Sequence, residues 1–218
     1  MKGFRSQGGD AVAELDDEER LVVARIVADV ALLLGADAFG EGYDEPAAAS
    51  DSDDPFEYLR GFEDSIREPS DPAILRLLPN AAPTDREIAD EFRRLTDGEL
   101  RATKTRRLRR IWDQLSSGSS GGGVDDWVVP ADEALATAAA LTDVRLVLAS
   151  RLGLVTDDDA ERLHVEIDLA AHALDGDDET ALPVDHELVW LGMLYQALTW
   201  LQESLVEFMV EASEETDV

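Results

Sequence analysis

Histidine is the residue type in this chain best suited to metal binding. His164, Asp168 and His172 lie at i, i+4 and i+8, so on a helix they share one face. Two imidazoles and a carboxylate can ligate a divalent metal ion. We favour the plainer interpretation, in which the three are polar residues on the solvated face of an acidic helix. We therefore predict no cofactor, and a metal-dependent enzyme is the third of our three functional hypotheses.

Other catalytic motifs are missing from the sequence. A serine nucleophile needs a base and an oxyanion hole, and the chain has no Gly-x-Ser-x-Gly elbow. The glycines at 121–123 precede Val124-Asp125-Asp126 instead of a lysine, so they do not form a phosphate loop. Because the chain has no cysteine, thiol nucleophiles, disulfides and thiolate zinc sites are excluded. We predict that the protein is not an enzyme.

The positive charge is concentrated in one short stretch. The chain carries 49 acidic and 19 basic residues and a net charge of -30. Residues 100–110 contain six bases and no acid, so the other residues together carry -36. These six candidate partner-binding residues are called the basic segment: Arg101, Lys104, Arg106, Arg107, Arg109 and Arg110.

The basic segment has three interpretations. The one we favour is that its side chains pair with acidic helices of the same molecule. The second is a docking surface for an acidic protein partner. The third is direct binding of nucleic acid, and the negative charge of the rest of the chain argues against it because a duplex would be repelled.

The elements that carry these residues are predicted to be helices. Apolar side chains recur at i, i+3, i+4 and i+7 in most of the chain, and Asp-Pro pairs at 54–55 and 71–72 mark helix starts. Thr84 and Glu87 have capping-box spacing, and residues 96–99 are expected to break the helix that follows. Residues 162–170 fit both a strand and a helix, and we choose helix because no strand is predicted nearby to pair with them. The prediction is an all-α bundle of about seven helices.

We predict a single helical domain over residues 1–218. Residues 1–14 are expected to be a loose leader, and residues 36–54 and 116–125 flexible loops. No apolar run reaches the roughly 20 residues that span a bilayer, and the N-terminus lacks a signal-peptide core, which predicts a cytoplasmic protein without membrane contact. The final helix is apolar almost all round from Leu188 to Leu201, so it is either central in its bundle or buried in a homodimer.

Four motifs resemble one family in their order and spacing. They lie at 71–79, 91–104, 141–153 and 201–206, and their sequences include DPAILRLLP, EFRRLT, LTDVRLVLASRLG and LQESLV. Together they resemble the actinobacterial domain-of-unknown-function family 2017, whose members are often named oxidative-stress transcriptional regulators of the AosR type. The resemblance implies a helical regulator that acts through protein contacts, with a sigma factor or polymerase as the expected partner. It does not imply an enzyme.

The chain departs from that family at one point. The family's redox sensing rests on a Cys-x-x-x-Cys pair, and without cysteine a disulfide switch is impossible here. Our second hypothesis is therefore a helical adaptor or structural protein with no transcriptional role. Within the motifs, Asp143 is expected to pair with an arginine of the Glu91–Thr96 helix, and breaking such a buried pair is costly. The candidate structural ion-pair residues are Arg93, Arg94, Asp143, Arg145 and Arg151.

Overall fold

The computed structural model describes residues 1–39, 69–117, 124–175 and 186–216. Most of these residues are helical, which confirms the predicted helical class. In chain order the elements are β1 (Lys2–Gln7), β2 (Asp10–Asp16), α1 (Asp17–Leu33), α2 (Pro72–Leu77), α3 (Arg86–Ser116), β3 (Val124–Val129), a 3-10 turn (Ala131–Glu133), α4 (Ala134–Arg151), α5 (Asp157–Asp175) and α6 (His186–Thr216).

The helix count is close to the prediction. The described ranges contain six α-helices, against about seven expected. The helix predicted after Asp54-Pro55 lies outside the described residues, as does the part of the predicted loop from 40 to 54. The ambiguous segment 162–170 lies inside α5, so the choice of helix is confirmed.

The predicted loose leader at residues 1–14 is wrong, because these residues form β1 and most of β2. The two strands pair antiparallel, with Gln7 opposite Asp10. Gly8 and Gly9 form the turn between them with φ angles of 65° and 96°. Glycine adopts these angles without a Cβ penalty, which is why Gly-Gly suits a two-residue hairpin. A sheet absent from the prediction therefore begins the chain.

The predicted flexible loop at 116–125 overlaps a helix and a strand at its two ends, and its residues 118–123 lie outside the described residues. Ser116 is the last residue of α3, and Val124 is the first residue of β3. The sheet has the order β1-β2-β3. Side chains on both faces of the central strand, β2, are buried. Ala11, Ala13 and Leu15 lie on one face and Val12 lies on the other, because successive side chains of a strand alternate.

The chain divides into two compact units. The terminal unit comprises residues 1–14 and 128–218, and the middle unit comprises residues 15–127. The single domain predicted over the whole chain stays a prediction. No helix of the described residues is both long enough and apolar enough to cross a membrane.

In the middle unit, α1 begins with a reciprocal cap. Asp16 accepts a hydrogen bond from the backbone N–H of Glu19 at 2.8 Å, and Glu19 accepts one from the backbone N–H of Asp16 at 3.0 Å. The acidic first turn adds favourable interaction with the helix dipole. The helix therefore begins at Asp17, directly after its N-cap.

The α3 helix corrects two predictions. Its N-cap is Asp85, whose carboxylate accepts from the backbone N–H groups of Glu87 and Ile88, so Thr84 is not the capping residue. The expected break at 96–99 is absent, and the helix runs unbroken for 31 residues. Gly98 costs about 1 kcal/mol relative to alanine, which a helix packed against α1 can absorb.

In the terminal unit, α6 packs against β1, α4 and α5. The Ser204 hydroxyl accepts a hydrogen bond from the Phe4 backbone N–H at 2.8 Å, so the helix satisfies a polar group of the first strand. On another side of α6, Gly192 lies under Leu163 and Ile167 of α5. The absence of a side chain at Gly192 allows this close approach.

Candidate protein-binding surface

The basic segment lies in the second half of α3, and two of its side chains are used inside the middle unit. Arg101 donates a hydrogen bond to the carbonyl of Leu34, just past the end of α1, at 3.1 Å. The Arg109 guanidinium stacks over the ring of Phe39 at 4.8 Å and lies 3.4 Å from the Asp113 carboxylate. Arg101 thus contacts a backbone carbonyl, and the acidic partner of Arg109 lies on the same helix, so pairing of the basic segment with other acidic helices stays a prediction.

Arg20 repeats this arrangement in the opposite direction. Arg20 is 5% exposed, and its guanidinium donates to the carbonyl of Leu115 at 2.7 Å and to that of Gln114 at 3.3 Å. Each of the two packed helices, α1 and α3, therefore supplies an arginine to the C-terminal end of the other. A cation there satisfies terminal carbonyls and interacts favourably with the helix dipole.

The remaining four members of the basic segment differ in their exposure to solvent. Arg106 and Arg110 are exposed, and Arg107 and Lys104 are half-buried. Within the described parts of the chain, no ion pair is formed by Arg106 or Arg107. Arg106 and Arg110 are four residues apart, so they share one outward face of α3. Arg106 is therefore the residue of the basic segment on which we base a partner-binding surface.

Charges in the first half of α3 pair along the helix. Arg93 is 6% exposed and lies 3.0 Å from the Asp90 carboxylate, and Arg94 lies 2.6 Å from the Glu91 carboxylate. Asp97 is 8% exposed, one turn from Arg93. Burial raises the pKa of the Asp97 carboxyl above its ordinary value of 3.8, and the charges of Arg101 and Arg93 act against that rise.

We expect Asp97→Asn to gain stability relative to the wild type as the pH rises. A carboxyl whose pKa is raised by folding stabilises the folded state below its unfolded pKa, and that contribution is lost as the pH rises through the folded pKa. Asparagine stays neutral throughout, so the variant does not incur this loss. Urea unfolding of both proteins between about pH 3 and about pH 7 measures the difference.

Asp159→Asn is the control with the opposite sign. The Asp159 carboxylate accepts from the backbone N–H groups of Val155 at 2.9 Å and Thr156 at 2.8 Å, and these hydrogen bonds hold the pKa of Asp159 below 3.8. The Asp159 carboxylate therefore stabilises the folded state above its unfolded pKa, and this stabilisation is lost as the pH falls. Asparagine lacks it, so the variant should lose stability relative to the wild type as the pH rises. If the stability of both variants relative to the wild type changed in the same direction with pH, the role given to Asp97 would be contradicted.

The other candidate ion-pair residues lie on α4. Asp143 is 3% exposed and Arg151 is exposed. Arg145 donates to the Thr199 hydroxyl at 2.9 Å and to the Gln202 side-chain carbonyl at 2.7 Å, so it joins α4 to α6. Its guanidinium also borders a depression of about 400 Å³ on α6. The pairing of Asp143 with an arginine of α3 stays a prediction.

The candidate metal residues lie on α5, where the helix gives them the predicted spacing. His164 is exposed, and its Nδ1 lies 2.8 Å from the side-chain amide nitrogen of Gln196. The side chains of Asp168 and His172 lie outside what the structure describes. Among the described side chains, no group of three histidine, aspartate or glutamate residues is placed to hold a metal ion.

Several large apolar side chains on the faces of α3 and α6 are exposed to solvent. Ile88, Phe92 and Leu95 recur at helical spacing on α3, yet they are 59%, 42% and 63% exposed. On α6, Trp190 and Trp200 are 50% and 47% exposed. Periodicity identified these faces, but whether a face is covered depends on tertiary packing, which periodicity does not report.

Comparison with known proteins gives a family and little beyond it. The family described as "Domain of unknown function (DUF2017)" matches residues 1–209, which include the basic segment. No curated protein and no solved structure matches the chain.

Proposed function

This chain belongs to the DUF2017 family of unknown function, and from the surface of α3 we propose that it is a regulatory protein–protein interaction module. The outward face of the basic segment, centred on Arg106, binds an acidic surface of the partner. A localised patch of positive charge on a chain of net charge -30 is the observation that carries the proposal. Complementary patches of this kind accelerate association and select the partner.

We further propose that the partner is a sigma factor or a polymerase subunit and that the module regulates transcription in the cytoplasm during oxidative stress. This part rests on the four motifs that resemble the AosR-type regulators of actinobacteria. The signal cannot be a disulfide formed within the chain, since it has no cysteine. The negative charge outside the basic segment disfavours direct binding to the promoter DNA.

A helical adaptor or structural protein is the second candidate. The observation that favours it is the internal use of Arg101 and Arg109, which leaves fewer cations for a partner. The two candidates differ in what Arg106 does, because a purely structural role gives an exposed side chain no binding function.

We expect Arg106→Glu to weaken retention of the partner about tenfold, because the reversal replaces attraction with repulsion at the centre of the face. The immobilised full-length protein is exposed to lysate of the native host, eluted in rising salt and analysed by mass spectrometry, with and without oxidant. Arg25→Glu is the matched control, since Arg25 is exposed on α1 outside the basic segment. It should change retention less than about twofold.

The identity of the retained protein decides between the candidates. Retention of a sigma factor or polymerase subunit that Arg106→Glu reduces and Arg25→Glu does not would support the regulator. Equal effects of the two reversals, or retention of no transcription protein, would favour the adaptor or structural role. Retention that nuclease treatment abolishes would point to nucleic acid instead.

A further inference from the structure

One face of α6, in the terminal unit, changes from apolar to acidic along the helix. Met193 and Trp200 are 55% and 47% exposed. Glu207 and Glu214 follow at the same spacing of seven residues, and both are exposed. Seven residues make two helical turns, so the four side chains share one face.

The apolar half of this face is too large to be incidental. Trp190 lies one turn before Met193 and is 50% exposed, so two tryptophans and a methionine reach solvent within about three turns of helix. Single exposed apolar residues are ordinary, but a contiguous group marks an interaction site. Tryptophan and methionine are also enriched in protein–protein contacts.

The acidic half of the face carries three glutamates, Glu207, Glu211 and Glu214, that are exposed to solvent. Glu211 lies one turn from Glu207 and is also exposed. In the described ranges of the chain, Glu207, Glu211 and Glu214 form no ion pair. These carboxylates are therefore available to bases of another molecule.

We propose that this face of α6 binds a basic amphipathic helix of a protein partner. Apolar residues of the partner cover Trp190, Met193 and Trp200, and lysine or arginine residues at one end of the partner helix lie opposite the three glutamates. Binding of an amphipathic helix to an apolar face with a charged end is a common mode of peptide recognition. The site is separate in sequence and opposite in charge from the basic segment of α3.

A second copy of the chain fits this face poorly. In a parallel pair of α6 helices the glutamates would face glutamates, and in an antiparallel pair they would cover the apolar half. Each copy also carries a net charge of -30, which opposes association. An anionic lipid surface would be repelled by the same glutamates. A basic helix matches both halves of the face.

The test uses the full-length protein and a labelled synthetic helix of leucine and lysine, about 20 residues long, with a leucine stripe and lysines at one end. A peptide of identical composition in shuffled order lacks the stripe. Fluorescence anisotropy at about 0.15 M salt should give tighter binding of the patterned peptide. The triple variant Glu207→Gln/Glu211→Gln/Glu214→Gln should weaken that binding about tenfold.

A matched triple variant removes three charges elsewhere. Asp29→Asn/Glu161→Gln/Glu166→Gln changes exposed acids on α1 and α5 and should weaken binding less than about twofold. The pair Trp190→Gln/Met193→Gln should also weaken it about tenfold, and far-UV circular dichroism checks that each variant is folded.

Three outcomes would overturn the proposal. Equal weakening by both triple variants would mean that the peptide responds only to the net charge of the chain, and so would equal affinity for the shuffled peptide. A dimer in sedimentation that Met193→Gln abolishes would show that a second copy occupies the face. Because the basic segment is unchanged in all these variants, none of these outcomes bears on the function proposed for α3.

Discussion

Trp127→Ala should lower the free energy of unfolding by about 3–5 kcal/mol, the range found when a large buried aromatic is truncated. Trp127 lies in β3 and is 1% exposed. Its indole N–H donates to the side-chain carbonyl of Gln114 at 2.9 Å, so truncation removes both apolar contacts and a hydrogen bond that joins the strand to α3. Urea unfolding followed by far-UV circular dichroism measures the loss.

Two further variants separate these contributions. Gln114→Ala removes the acceptor and keeps the indole, and it should cost about 1 kcal/mol. Trp190→Ala is the matched truncation at a half-exposed position, where less apolar surface returns to water, and it should cost less than about half as much as Trp127→Ala. Equal losses at positions 127 and 190 would contradict the placement of Trp127 in the core.

The helices of this fold were predictable because their starts are encoded locally. Asp71 accepts from the backbone N–H of Ala73 at 2.8 Å immediately before Pro72, as an Asp-Pro start requires. Gly35, with φ of 88°, follows the end of α1. Caps and helix-ending glycines act within a few residues, so they can be identified without knowledge of the fold.

The sheet was not predicted because its strand patterns are short, and the composition of the same segments is also typical of unstructured chain. Gly8-Gly9 is a two-residue hairpin signal, but the small and charged residues around it are also typical of an unstructured leader. In β3, Asp126 and Val128 are exposed while Trp127 and Val129 are buried, which is a strand period of two. Six residues after a Ser/Gly stretch give too few repeats of this pattern to outweigh the composition.

The composition of the basic segment was visible in the sequence, but the use of each arginine was not. Arg101 and Arg106 are five residues apart on one helix, yet Arg101 reaches the end of α1 and Arg106 reaches solvent. That difference depends on where α1 ends relative to α3, which is a tertiary fact. Counting the basic residues in the sequence therefore overestimates the positive charge of a binding surface, because it includes arginines that point inward.

The same substitution at two glycines should have effects of opposite sign, since one glycine is required by packing and the other is not. Gly192 and Gly98 lie within the two 31-residue helices, α6 and α3. A Cβ at Gly192 would lie 2.6 Å from Cδ1 of Ile167 and 3.1 Å from Cδ1 of Leu163, whereas a Cβ at Gly98 would have nothing within 4 Å. Ile167 and Leu163 are about 95% buried, so they cannot move aside into solvent.

Gly192→Leu should therefore destabilise the protein by about 3 kcal/mol, the upper end of what overpacking usually costs. Gly98→Leu should stabilise it by about 0.5–1 kcal/mol, because leucine has the better helix propensity and the site is exposed. Urea unfolding of both variants beside the wild type gives the two values. If Gly192→Leu were neutral, α5 would not be held against α6 through this contact. If Gly98→Leu were destabilising, α3 would be covered at a position where the structure leaves it open.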